Sequence, residues 1–319
     1  MNKYYCYATL LLVSLFAANA NSAPMAYSIN SDSGNEATED SLYLIDLATG
    51  SDQRRGTLFT GIETRRDTEG LAFAPDGILW GIDDRSLTLF PIATTNGGIS
   101  FQAEKDLSGI QAGGGNDFGM TFSCDSTLYI TSVISNTLYK LDLEGNSTVI
   151  GQLGANISAI AAIGNPSRLY GLGNGQFENG DTDSPDLYSI NTDTGAATLI
   201  GALGNTIGAY NQGGLAFDSN GDLWAITDRR TINGEIANLA SQVLSIDVNS
   251  GLASVVSITS EVGFESLAIG PPAQCEGAGT PGDGNERDPR IPTMSPAGRL
   301  LAIFVLLFTG FGFLRNRIS

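Results

Sequence analysis

Glu69–Asp84 reads EGLAFAPDGILWGIDD, and Gly213–Asp228 reads GGLAFDSNGDLWAITD. Each stretch runs from small apolar residues into a turn and out again through an aromatic residue. The first run is apolar at nearly every position, as a strand buried on both faces would be. Asp76-Gly77 and Asn220-Gly221 are hairpin turn signals. Related stretches are FGMTFSCDSTLYITSV from Phe118, SAIAAIGNPSRLYGLGN from Ser158 and a truncated ESLAIGPP from Glu265. A second hairpin unit recurs between them. It appears as SLYLIDLATGSDQRRGTLF, LTLFPIATTNGGISF, TLYKLDLEGNSTVIGQL, DLYSINTDTGAATLIGAL and QVLSIDVNSGLASVVSI. Its strands alternate more, as outer strands do.

Two hairpins make one four-stranded sheet. The spacing between Leu71, Met120, Ile160, Leu215 and Leu267 is 40 to 55 residues, the period of β-propeller blades. A β-sandwich of similar strand count has no need of an in-phase four-strand repeat. The expected fold is therefore an all-β propeller of five four-stranded blades over residues 24–272; six would require one degenerate copy. The chain enters on a second unit and leaves on a first-unit strand. Closure is expected by pairing ESLAIGP with MAYSIN and SLYLIDL in a shared blade, which removes an open sheet edge.

The chain has 319 residues, 34 acidic and 16 basic, no histidine and a net charge of −18. Lys3, Arg299, Arg315 and Arg317 lie at the ends, which leaves 12 basic residues for the middle against all 34 acidic ones. That balance argues against nucleic acid and bare anionic membrane as partners. It suits cations, basic partners or simple solubility. Without histidine there is no Ser-His-Asp machinery and no common zinc site.

Residues 1–20 read as a secretory signal peptide: one lysine, an apolar run from Ala8 to Ala18, then Ala18-Asn19-Ala20 as a cleavage site. Cys6 leaves with that leader. Residues 273–290 read as a flexible Gly/Pro-rich linker. The last segment, 291–319, joins Ile291-Pro292-Thr293 to an apolar run from Leu300 to Leu314 and a basic stop at Arg315 and Arg317. Fifteen helical residues rise about 22 Å, short of the roughly 30 Å hydrocarbon core, although Arg299 could snorkel to the boundary. The segment fits either a short permanent anchor or an address that is removed.

That three-part layout resembles the IPTL-CTERM sorting signal of Gram-negative bacteria, through Ile291, Pro292, Thr293, Ser295 and Gly298. Met294 stands where that family has leucine, and Pro296 and Ala297 depart from its usual acidic-tryptophan pair. The resemblance covers about the last 29 residues. It implies an exosortase-type enzyme as partner, transient or lasting contact with the inner membrane, cutting near Thr293, and delivery to the cell surface.

Long connections in blades one, four and five (SDSGNEATED, NGQFENGDTDSP and RRTINGEIANLA) should build a wall on one face. Glu69 and Glu265 occupy equivalent positions two residues before a buried leucine, and Asp84 and Asp228 close equivalent second strands. Asp117 lies one residue out of register with the glutamates. Such a ring of oxygens could hold Ca²⁺; equally, the glutamates could accept backbone hydrogen bonds and the aspartates could pair with Arg85 and Arg229. The acidic loop from Glu178 to Asp186 could wrap calcium but lacks the EF-hand pattern. Cys124 and Cys275 should both reach the short-turn face. An oxidising compartment would let them bridge; otherwise they are isolated thiols. Two functions follow: an exported, non-catalytic binding or structural propeller with an unidentified extracellular partner, or a Ca²⁺-dependent hydrolase, lactonase or lyase.

Overall fold

The computed structural model describes residues 23–31, 34–35, 37–111, 116–175, 185–232 and 234–275. The leader, most of the acidic loop before Asp186, and the sorting-like tail lie outside these. The chain divides into Met1–Gly277 and a second unit, Ala278–Ser319, of which nothing is described. No helix among the described residues is long and apolar enough to cross a membrane; the Leu300–Leu314 run falls outside them.

The described chain is five antiparallel blades arranged in a ring. Blade two comprises β4 (Thr68–Phe73), β5 (Leu79–Asp83), β6 (Thr88–Ile92) and β7 (Lys105–Asp106). Blade three is β8 (Phe118–Phe122), β9 (Leu128–Ser132), β10 (Thr137–Leu141) and β11 (Ser147–Gln152). Blade four is β12 (Ile157–Ile163), β13 (Arg168–Gly173), β14 (Asp186–Ile190) and β15 (Ala197–Ala202). Blade five is β16 (Gly213–Phe217), β17 (Leu223–Ile232), β18 (Glu235–Ile246) and β19 (Ala253–Ile258). In blade one, β1 (Met25–Ile29), β2 (Ser41–Asp46) and β3 (Asp52–Thr57) form three strands.

The end of the ring supplies the fourth. Tyr27 and Ala268 exchange backbone bonds of 2.7 and 2.9 Å, and Glu265 N–H donates to Ile29 O at 3.3 Å. Ser28 Oγ donates to Ser266 O and Ile29 N–H to Ser266 Oγ. The predicted N- and C-terminal closure is thus present.

A repeated packing rule sets the blade order. Every blade's second strand carries one aromatic residue that leans on the innermost strand of the next blade. Tyr27 meets Phe73 edge-on at 5.8 Å, and Tyr170 meets Phe217 at 5.4 Å. Trp80 packs with Phe118 and Met120, Tyr129 with Ile157 and Ile160, and Trp224 with Phe264 and Leu267. Five aromatic residues and five buried clusters make five interfaces. Fully burying one large apolar side chain contributes roughly 1.5–3 kcal/mol, so the ring is held mainly between blades. Small residues before the buried leucines let the inner strands approach. A Cβ on Gly214 would lie 2.2 Å from Leu267 N.

Two boundaries differ from the sequence reading. RRTINGEIANLA is not a loop: β17 and β18 continue through it as one long hairpin, with register shifts near Arg229 and Thr231. The linker does not begin at residue 273. Ala273 O accepts from Gly164 N–H, Gln274 Nε2 donates to Asn220 O, and Cys275 is disulfide-bonded to Cys124. Residues 271–275 are a strap fixed beneath the ring.

Candidate functional site

The channel has an apolar end and a polar end. At the short-turn end a void of about 30 Å³ is lined by Phe73, Phe122, Phe217 and Ile269 and covered by the strap residues Pro271, Pro272 and Ala273. At the loop end the void shrinks to about 10 Å³, near the minimum for one water. Its rim is one residue per blade: Glu265, Glu69, Phe118, Ser158 and Gly213. These are the positions two before each buried apolar residue, so the equivalence read for Glu69 and Glu265 holds.

Glu69 and Asp117 are neighbouring buried carboxyls at the seam of blades two and three. Glu69 Oε2 also accepts from Phe118 N–H at 3.2 Å. Burial, reinforced by Asp117, Glu265 and Asp84, raises the Glu69 carboxyl well above its ordinary range. Burial lifts Asp117 to about 7, opposed by hydrogen bonds from Glu69 and Asn174. Two carboxyls this close cannot both ionise cheaply, so the pair retains a proton near neutral pH.

Further acids surround the pair. Asp84 is raised to about 8 by burial, with Asp67, Asp83 and Asp117 adding repulsion. Asp40 is raised to about 7, mainly by burial, although its Oδ1 accepts from Asp67 N–H at 3.2 Å. Burial also raises Asp67, against the opposing charges of Arg85 and Arg66. Asp40 and Asp67 sit at φ +55° and +62°, a left-handed conformation that few residues other than Gly, Asn and Asp tolerate. Ser158 Oγ, Asn174 Oδ1 and Asp84 Oδ1 are buried without a hydrogen-bond partner in the structure.

The five candidate carboxylates do not assemble as one ligand shell. Glu69 is committed to Asp117, Glu265 accepts from Ser31 Oγ, and Asp228 Oδ1 accepts from Arg230 N–H at 2.9 Å. Among the described residues no three His, Cys, Asp or Glu side chains are spaced to grip a metal ion. Arg229 turns away and donates through Nε to Ala209 O at 3.1 Å. The Glu178–Asp186 calcium-loop candidate falls largely outside the described residues. The sequence reading missed Asp40 and Asp67, which lie outside the strands, and Asn174, which holds in blade four the position that Asp84 and Asp228 hold in theirs, four residues after the aromatic of the second strand. As arranged, the mouth is a proton-holding polar rim over a nearly filled channel.

No protein-family model matches the chain, and no curated protein matches it. Among solved structures it is similar to virginiamycin B lyase from Staphylococcus aureus, at 18% identity over 74% of this chain and 70% of that one, with a TM-score of 0.39. A protein of unknown function from Bacteroides caccae shares 12% identity over 77% of this chain and 98% of its own, with a TM-score of 0.37. At these values the likeness says nothing of activity or ligand, and the ring itself identifies the chain as a five-bladed β-propeller.

Proposed function

We propose that the protein is an exported, non-catalytic binding propeller, delivered to the cell surface through its C-terminal sorting signal. The observation that carries this reading is the Cys124–Cys275 bond. A bond of this kind persists in oxidising compartments, not in a reducing cytosol. It also fixes Cys275 beneath the short-turn face. The acidic, solvated middle of the chain suits that setting. Among the described residues the mouth's acids bond largely to neighbouring groups, Glu265 to Ser31 Oγ and Asp40 to Asp67 N–H. Rigid strands carrying elaborated loops are a common binding arrangement.

The sorting part rests on Ile291-Pro292-Thr293, the short apolar run and the terminal arginines. It is tested by identifying the C-terminal peptide of the native protein in inner-membrane, outer-membrane and medium fractions. A terminus between residues 291 and 295, outside the inner membrane, is expected. Ser319 retained only in the inner membrane would overturn the sorting reading.

A further inference from the structure

A second cavity opens at the seam of blades one and two, beside the acids that surround the carboxyl rim. Its volume is about 390 Å³, and Glu63, Thr64, Arg65, Arg66, Asp83, Arg85 and Ser86 line it. Three arginines in one cleft are conspicuous in a chain of net charge −18.

The lining charges fall into two groups. Arg65 is engaged internally: it pairs with Glu63 at 3.0 Å and with Glu104 through both Nε and Nη2. Asp83 is likewise occupied, accepting from Ser86 N–H at 2.7 Å, Ser86 Oγ at 2.6 Å and Thr68 Oγ1 at 3.2 Å. Arg66 and Arg85 are exposed. Their side chains make no hydrogen bond or ion pair among the described residues. The nearest acid they influence is Asp67, which burial keeps harder to ionise.

The cleft therefore presents two uncommitted guanidinium groups on a surface with acids to spare. Guanidinium is a planar fork that matches a carboxylate in a two-bond geometry. The remaining wall is hydroxyl and carboxylate rather than apolar, which suits a hydroxylated ligand better than a hydrophobic one. A volume of about 390 Å³ lies at the low end of small-molecule sites.

We propose that this cleft binds a sugar-acid unit, its carboxylate held by Arg66 and Arg85 and its hydroxyls met by Thr64 and Ser86. The proposal rests on the binding role of the loop face and names the chemistry of its ligand. Whether the unit is a free monomer or part of a polymer is open to measurement.

The test is calorimetric titration of the protein as cells produce it, with glucuronate, glucose, inorganic sulfate and a glucuronate-containing oligosaccharide. Glucuronate should bind at least tenfold more tightly than glucose or sulfate. Arg66→Gln and Arg85→Gln should each weaken it tenfold or more, and Arg66→Lys and Arg85→Lys less. Arg168→Gln, on an exposed arginine of blade four, should leave it unchanged, and melting curves check that every variant is folded. Tighter binding of the oligosaccharide would place the unit in a polymer; equal binding would favour the free acid. Glucose or sulfate binding as tightly as glucuronate, no binding of glucuronate, or full binding by both Gln variants would overturn the proposal. The titration needs no knowledge of where the protein travels, so its failure leaves the C-terminal peptide test of export intact.

Discussion

The two ends of the channel are built from the same inner strands and differ in nearly everything else. At the short-turn end the strands finish in phenylalanines, and a covalently held strap lies across the opening. At the loop end they begin with two glutamates, a phenylalanine, a serine and a glycine, and further acids crowd around. One end is crossed by the strap; at the other, burial raises the carboxyls above their ordinary range. The lesson is that a propeller separates its two tasks by face. Closure and cohesion belong to the short-turn side and the inner strands, whereas the buried carboxyls gather at the loop side.

The sharpest way to break this comparison is to remove the closing segment. A chain stopped after Gly263 loses Leu267, Ala268 and every bond to β1, leaving blade one without its innermost strand. It should show no cooperative melting transition. A milder form, Leu267→Ala, should cost about 2–5 kcal/mol, read by chemical denaturation. Next comes the strap. Cys275→Ser, or reduction, opens a bridge spanning 151 residues and should cost about 3 kcal/mol. That corresponds to a fall in Tm of about 10 °C. No change in Tm would mean that the strap's other contacts suffice.

The open end is sharpened by pH. Asp117, Asp84 and Asp40 are raised to about 7, 8 and 7 in the folded ring, against about 4 when unfolded. Between those values the folded state holds more protons than the unfolded chain, so stability falls as pH rises from about 4 to 8. Tm should therefore be higher at pH 5 than at pH 8.5. Asp117→Asn should flatten that slope and raise Tm at pH 8.5 by at least ~3 °C, since one pKa unit is about 1.4 kcal/mol. A slope unchanged in this variant would remove the proton from the Glu69–Asp117 pair. The smallest expected effect is that of calcium. At millimolar Ca²⁺ the melting curve should not move; a rise abolished by Glu69→Gln would restore the metal-dependent enzyme.

How much of this was legible in the sequence follows the same division. The blade repeat was readable because the buried leucines and turn glycines recur with it, and so was the pairing of the two chain ends. Glu69 and Glu265 were visible as equivalent positions. Their partners were not. Asp40 and Asp67 reach the mouth from left-handed loop positions, whereas Asn174 was in register with Asp84 and Asp228 and was passed over because it is not a carboxylate. The long hairpin of blade five was hidden because Asn233-Gly234 sits amid polar residues that look like a loop. The strap was half visible: the Cys124–Cys275 bridge could be read as a possibility, but the linker-like composition shared by Pro271-Pro272 and the glycines beyond Cys275 put residues 273–275 in the linker.

The most direct test of the closed end, and of the compartment it implies, is a non-reducing peptide map of the native protein. The account predicts one cross-linked species joining the Cys124 and Cys275 peptides, with no free thiol at either position. Both cysteines recovered as free thiols would contradict it, leaving the strap unlatched and the case for export without its structural support.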